Sequence, residues 1–406
     1  MKQFEIPEFY RSPIISKVKA RRKLNDPRKQ DFTPTTLPFS TVEFIVARHF
    51  GFCYGVENAI EKSYKALHEH PDKRIFLLSQ MIHNPDVNDD LIANGIKFLQ
   101  TPSGEQLIPF SELTNQDIVI TPAFGTTVEL ENVLKNTGAN IQDYNTTCPF
   151  VEKVWNRSHK LGETDHSIII HGKHEHEETR ATFSHSRQIA PSLVVKDIKE
   201  AAFLADVILG KSSDDAFFAY FDGKYSPGFQ PSKHLMKIGV VNQTTMLASE
   251  TQEITEFLRA VMIQKYGETE IKAHMADTRD TLCYATNDNQ SSTYGLLDAS
   301  PDLAVVVGGF NSSNTTHLVE ILEQHMPTFF INGAQQIIDM EQIHTFNIHS
   351  KELERKKFLT AQRPLRIAIT SGASCPDSIV DGVMMKILTL LNEPISIEEA
   401  LLQATI

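Results

Sequence analysis

One alternation recurs along this chain and limits what it can fold into: a short apolar run, a loop of small polar residues, then an amphipathic stretch. VEFIVARHFGFCYGVENAIEKSYKAL is the first instance, with a helix expected from near Gly55. HSIIIHGKHEHEETRATF, KIGVVNQTTMLASETQEITEFLRAVM, DLAVVVGGFNSSNTTHLVEILEQH and LRIAITSGASCPDSIVDGVMMKILTLL repeat it. Continuous β-branched runs such as Ile168–Ile170 and Val305–Val307 read as strands buried on both faces. Strands of that kind alternating with helices imply βαβ units, hence an α/β fold with mostly parallel sheets. In such sheets ligands bind beyond the carboxyl ends of the strands, where these loops lie.

The 406 residues suffice for two or three such domains. A formal net charge of −12 argues against nucleic acid or an anionic membrane surface as the main partner. No run reaches the roughly 18 apolar residues that a spanning helix requires, so no membrane is expected. The first 30 residues show neither a secretory nor a transit pattern, which makes the expected location cytoplasmic. The basic run Lys17–Lys23 (KVKARRK) reads as a solvated tail, with a recognition patch as the competing reading. Pro, Gly and Ser between Ser184 and Lys237 suggest an insertion of loops around one helix near Ile198–Ile208.

Only four cysteines occur, and in a reducing compartment they stay thiols for packing, catalysis or metal. Cys53 lies between Gly51 and Gly55 after a strand. Cys148 stands before Pro149 in YNTTCPFVEKVW, and Cys283 precedes a polar helical stretch. These three match no CxxC zinc spacing, so spacing alone leaves packing and a thiolate cluster both open. The loops NQTT (Asn242–Thr245), NSSN (Asn311–Asn314) and SGAS (Ser371–Ser374) each precede a helix, where unpaired N–H groups favour an anion. Ser, Thr and Asn are also the preferred helix caps, which is the competing reading. HEHEE (His174–Glu178) is open to three readings: an acid–base pair, a metal site or an exposed helix start. No GxGxxG opens a helix and no P-loop occurs, so no nucleotide cofactor is indicated.

Taken together, GFCYGV, TTCPFVEKV, LCYAT, MIHNPDV, NQTT, NSSN and GASCPD, in this order from about Phe44 to Leu391, resemble the LytB/IspH family. Its members are 4-hydroxy-3-methylbut-2-enyl diphosphate reductases, the last enzymes of the methylerythritol phosphate route to isoprenoids. TPAFGTTVE, HGKHEHEETRAT and the Ser184–Lys237 region are closer to its longer plant and cyanobacterial type. The resemblance implies a trefoil of three α/β domains around a central iron–sulfur cluster. Its expected boundaries are an N-terminal arm over 1–42 and domains at 43–148, 149–283 (with the insertion at about 184–237) and 284–374. A C-terminal helix and tail fill 375–406.

The resemblance further implies a [4Fe-4S] cluster on Cys53, Cys148 and Cys283 with one iron left open, while Cys375 reads as packing. Gly51 and Gly55 would let backbone crowd that cluster. The substrate is then a small diphosphate, reduced to isopentenyl and dimethylallyl diphosphate, with electrons from a ferredoxin or flavodoxin. Glu178 is the implied general acid, with Thr244 relaying protons, although His174-Glu175 can be slid onto the same motif as His176-Glu177-Glu178. His83, His176, Thr245, Ser312, Ser313, Asn314 and Ser374 would hold the diphosphate. One departure stands out: Phe124 replaces a histidine of the compact bacterial type, with Thr126 and Thr127 as alternative donors. The rivals are a zinc hydrolase or lyase built on the histidines, and an iron–sulfur redox sensor without turnover. A sensor needs the cysteines but not Glu178, Thr244 and the anion loops together.

Overall fold

The computed structural model describes residues 10, 12–141, 143–276, 281–359 and 364–405. Residues 1–9 and 11 of the expected N-terminal arm, and residue 406 of the tail, lie outside the described residues. The described chain forms three main sheets and one hairpin, and it divides into two compact units.

The first unit comprises residues 1–57, 83–89 and 284–406, and its sheet has five strands. Val42–Val46 runs parallel to Leu365–Ser371, which pairs in parallel with Leu303–Val307, which in turn pairs with Thr328–Ile331. Thr35–Pro38 closes the edge antiparallel to Val42–Val46. Leu303–Val307 is buried at every position, as its unbroken apolar run requires of a central strand. Strands from opposite ends of the chain thus share one sheet. This corrects the expectation that 43–148 and 284–374 are separate consecutive domains, because Ile45 pairs with Ala368 rather than with any strand of 75–120.

The second unit comprises residues 58–82 and 90–283 and holds two parallel three-stranded sheets. Ile75–Leu77 lies between Lys97–Phe98 and Ile118–Ile120. Ser167–His171 lies between Ser192–Val195 and Ile238–Asn242. Alternate residues of the central strand feed different cores: Ile169 packs with Leu193, Val240 and Phe217, while Ile168 and Ile170 pack with Val154, Val194 and Val241. Each such side chain contributes roughly 1.5–3 kcal/mol of burial. The helix expected near 198–208 spans Ile198–Ile208. The surrounding region is no mere insertion, because it supplies Ser192–Val195, a fully buried edge of this sheet. All three sheets present strand ends to the loops that carry the expected site residues.

Candidate active site

In the second unit, chemistry gathers where Ser167–His171 and Ile238–Asn242 end. His176 caps the helix Glu177–Arg187, its Nδ1 accepting the N–H of Glu178 at 3.2 Å. That bond leaves the ring proton on Nε2. Glu178, in the first turn of this helix, is only 1% exposed. Its carboxyl accepts the Thr244 N–H at 2.5 Å and the Thr244 hydroxyl at 2.9 Å. Burial pushes this carboxyl up to about 7, against the two Thr244 bonds that favour its charged form. Glu175, three residues earlier, is exposed. Of the two registers of HEHEE, only the one ending at Glu178 buries a carboxyl beside Thr244.

Gln243 holds this end together. Its Oε1 accepts the Lys173 N–H and the Thr179 hydroxyl, and its Nε2 donates to Thr245 Oγ1 at 2.7 Å. Asn242 does the same for the segment leading to Cys283: its Oδ1 accepts the Thr281 N–H and hydroxyl. Cys283 donates its own N–H to the Thr244 carbonyl at 3.3 Å, and the helix Tyr284–Asp298 begins at the next residue. Cys148 caps the helix Pro149–Gly162 and donates its N–H to the Ala123 carbonyl. Phe124 meets the His176 ring edge-on, with centroids 5.8 Å apart. It positions that imidazole without offering a donor. Of the two threonines nearby, Thr127 uses its hydroxyl to cap the helix Val128–Thr137.

The first unit gathers a different set where Leu303–Val307 and Leu365–Ser371 end. Ser312 caps the helix Ser313–Glu323, so at this residue the capping reading of NSSN is correct. Ser313 Oγ lies 3.3 Å from His317 Nε2. Asn314 is buried, its Oδ1 accepting the Ala373 N–H at 3.0 Å while its Nδ2 meets no acceptor among the described residues. Ser374 donates to the His83 carbonyl, and the Gly309 backbone passes so close that a Cβ there would stand 2.2 Å from that same oxygen. Cys53 donates its N–H to the Ala373 carbonyl, and the helix Tyr54–Glu69 starts at the next residue. Burial pushes its thiol up, while the N–H groups of Val56 and Gly55 counter this by favouring thiolate.

Gly51 serves the Cys53 turn in a way the sequence reading missed. Its φ is +77°, and a Cβ would meet Asp377 Oδ1 at 2.2 Å. That carboxylate pairs with Lys19 at 2.8 Å, and the same ammonium donates to the Phe50 carbonyl at 2.9 Å. The KVKARRK segment is therefore not a solvated tail. It lies in the helix Ile15–Asn25, with Arg22 buried against Asp31. The sequence shows its charge but not its partners: the carboxylate that Lys19 meets lies 358 positions away.

All four cysteines are free thiols. Cys53, Cys148 and Cys283 are partly exposed, and each stands immediately before a helix, where the positive end of the dipole favours a thiolate ligand. Cys375 differs: it is fully buried in the core of the five-stranded sheet, and burial drives its thiol far upward. Taken one by one, these three thiols suit metal ligation by their helix-start positions and Cys375 suits packing; among the described residues no group of three or more His, Cys, Asp or Glu side chains stands together as a metal site.

The LytB protein family model matches residues 44–388. A Prochlorococcus marinus protein described as 4-hydroxy-3-methylbut-2-enyl diphosphate reductase is 41% identical over 85% of this chain and 84% of its own length. A Synechococcus protein of the same description is 41% identical over 85% of each chain. Among solved structures, the E-1-hydroxy-2-methyl-but-2-enyl-4-diphosphate reductase from Plasmodium falciparum shares the fold, with a TM-score of 0.60 and 21% identity. That likeness covers 88% of this chain and 89% of the other. The match to the family model spans most of the sequence and takes in every residue of both sites, and on that ground the chain belongs to the LytB family.

Proposed function

We propose that this protein reduces (E)-4-hydroxy-3-methylbut-2-enyl diphosphate to isopentenyl and dimethylallyl diphosphate, as its cyanobacterial relatives are named for doing. The observation that carries the reading is Glu178: a fully buried carboxyl whose pKa of about 7 keeps it substantially protonated near neutrality. Beside the Thr244 hydroxyl, such a carboxyl is set up to give a proton away.

Removal of an allylic hydroxyl with two electrons needs two protons, one for the departing oxygen and one for carbon. Cys53, Cys148 and Cys283 would hold a [4Fe-4S] cluster, which when bound supplies the electrons and an open iron as Lewis acid for the hydroxyl. Glu178 would protonate the leaving oxygen, with the Thr244 hydroxyl, 2.9 Å away, relaying the proton. His176 would offer its Nε2 proton to the diphosphate. His83, Thr245, Ser312, Ser313, Asn314 and Ser374 would complete the donor set, and Asn314 brings a buried Nδ2 that lacks an acceptor among the described residues. Neutral donors bind the anion without a lysine that would pull Glu178 toward its charged form. The trefoil arrangement of three α/β layers, a ferredoxin or flavodoxin as donor and a cytoplasmic setting complete the proposal; free thiols suit a reducing compartment. Among the described residues no helix is long and apolar enough to cross a membrane.

Anaerobic reconstitution with ferrous iron and sulfide tests this directly. The expected result is a brown protein holding about four irons per chain, which forms both diphosphate products with reduced methyl viologen. Iron-loaded protein that leaves the substrate intact would contradict the reading.

A further inference from the structure

Beside the Cys53 turn, and wholly within the first unit, lies a cleft of about 520 Å³. Lys19, Lys23, Lys29 and Arg48 line it together with Cys53 itself and the rings of Tyr54 and Tyr284. Three carboxylates also line it: Asp377 is paired with Lys19, Asp288 is pushed toward its neutral form by burial, and Glu57 remains. Arg48 is committed to Asp26. Lys23 and Lys29 are exposed, and Lys29 lies within electrostatic reach of Asp288. They belong to a segment, Ser12 to Asp31, that carries seven Lys or Arg against two Asp in a chain of net charge −12. Tyr54 is 56% exposed and Tyr284 39%. An exposed aromatic centre rimmed by four cations, two of them paired with Asp377 and Asp26, has the anatomy of a protein-docking face, and the basic segment beside it runs opposite in charge to the whole molecule.

We infer that this face receives the acidic surface of a one-electron carrier protein. The inference rests on the reductase reading, since that reaction consumes two electrons and the sequence contains no nucleotide-cofactor motif to supply them as hydride. Electrons must then arrive from a separate protein, one at a time, by close approach to a thiolate ligand. Cys53 lies in the wall of this cleft. The Lys19 bridge to Phe50 and Asp377 fixes the basic helix to the cysteine turn, so a partner held by the one is held beside the other.

The test compares the holoprotein with Lys23→Glu/Lys29→Glu, using an acidic [2Fe-2S] ferredoxin as probe in anaerobic calorimetry. Lys272→Glu/Lys357→Glu, with the same charge change on exposed lysines that do not line the cleft, is the control. At low salt the Kd of the first variant should rise about tenfold or more, and the salt dependence of binding should flatten. The control should bind like wild type. Turnover driven by methyl viologen should be equal in all three, while ferredoxin-driven turnover falls only in the first variant. Unchanged ferredoxin affinity in Lys23→Glu/Lys29→Glu, or an equal loss in the control, would overturn the docking face and leave the reductase reading in place. Wild-type protein that holds iron but fails with viologen would remove the reading beneath it.

Discussion

The two units end their parallel sheets in loops of similar composition and build opposite kinds of site there. In the second unit the loops after Ser167–His171 and Ile238–Asn242 enclose a carboxyl, and burial raises its pKa to about 7. In the first unit the loops after Leu303–Val307 and Leu365–Ser371 bring together hydroxyls, an amide and helix N–H groups, none of which titrates near neutrality. The same kind of scaffold thus buries a carboxyl of raised pKa in one unit and gathers uncharged hydrogen-bonding groups in the other. The difference teaches that small polar residues at a strand end do not fix the chemistry. What fixes it is whether the neighbouring helix buries an acid.

Cysteine substitution separates ligand from packing in both units and carries the largest expected effect. Cys53→Ser in the first unit, or Cys148→Ser or Cys283→Ser in the second, should abolish stable iron incorporation and turnover together. Cys375→Ser should keep both, losing only some stability from its buried site. Iron loss in Cys375→Ser equal to that in Cys148→Ser, measured by anaerobic absorption, would break the assignment.

The next effect sharpens the contrast in titration. The folded Glu178 carboxyl keeps its proton to about pH 7, while the unfolded one releases it near 4.5. Between these values the folded state binds the extra proton, so raising the pH withdraws stability, and the loss is complete above about 7. Glu178→Gln removes that cost. The variant should match wild type near pH 4.5 and exceed it by up to about 3 kcal/mol above pH 7 in chemical denaturation. A pH-independent difference would mean that Glu178 is not held neutral.

The smallest effect belongs to the uncharged groups of the first unit. Asn314→Ala and Ser374→Ala should each weaken substrate binding by about 1–2 kcal/mol, a tenfold change or somewhat more. Turnover at saturation should stay close to normal. Loss of turnover with unchanged affinity would erase the division between the two units.

Much of this was legible in the sequence, for reasons that differ from residue to residue. Ile168–Ile170 and Val305–Val307 announce buried strands because a strand covered on both faces has no polar position to spare. Glu178 and Thr244 were singled out and brought together only through motif resemblance, because a contact across 66 positions leaves no local pattern. Asn242 and Gln243 were hidden inside NQTT: read as anion donors, they are buried brackets for Thr281 and Thr245. Gly51 was expected to let backbone crowd a cluster, and the room it makes for Asp377 has no trace in the local sequence. Lys19 looked like part of a charged tail until its two partners, Phe50 and Asp377, were in place.

The proposed reaction depends most directly on Glu178 as the proton source. Turnover of iron-loaded Glu178→Gln should be measured beside Glu175→Gln, with reduced methyl viologen as the electron source. General acid catalysis is typically worth about 10²–10⁴-fold, so Glu178→Gln should lose that factor with its iron content unchanged, while Glu175→Gln, altered at an exposed position, stays close to wild type. Near-normal turnover in Glu178→Gln would contradict the claim, and collapse of Glu175→Gln in its place would move the acid to the exposed carboxylate.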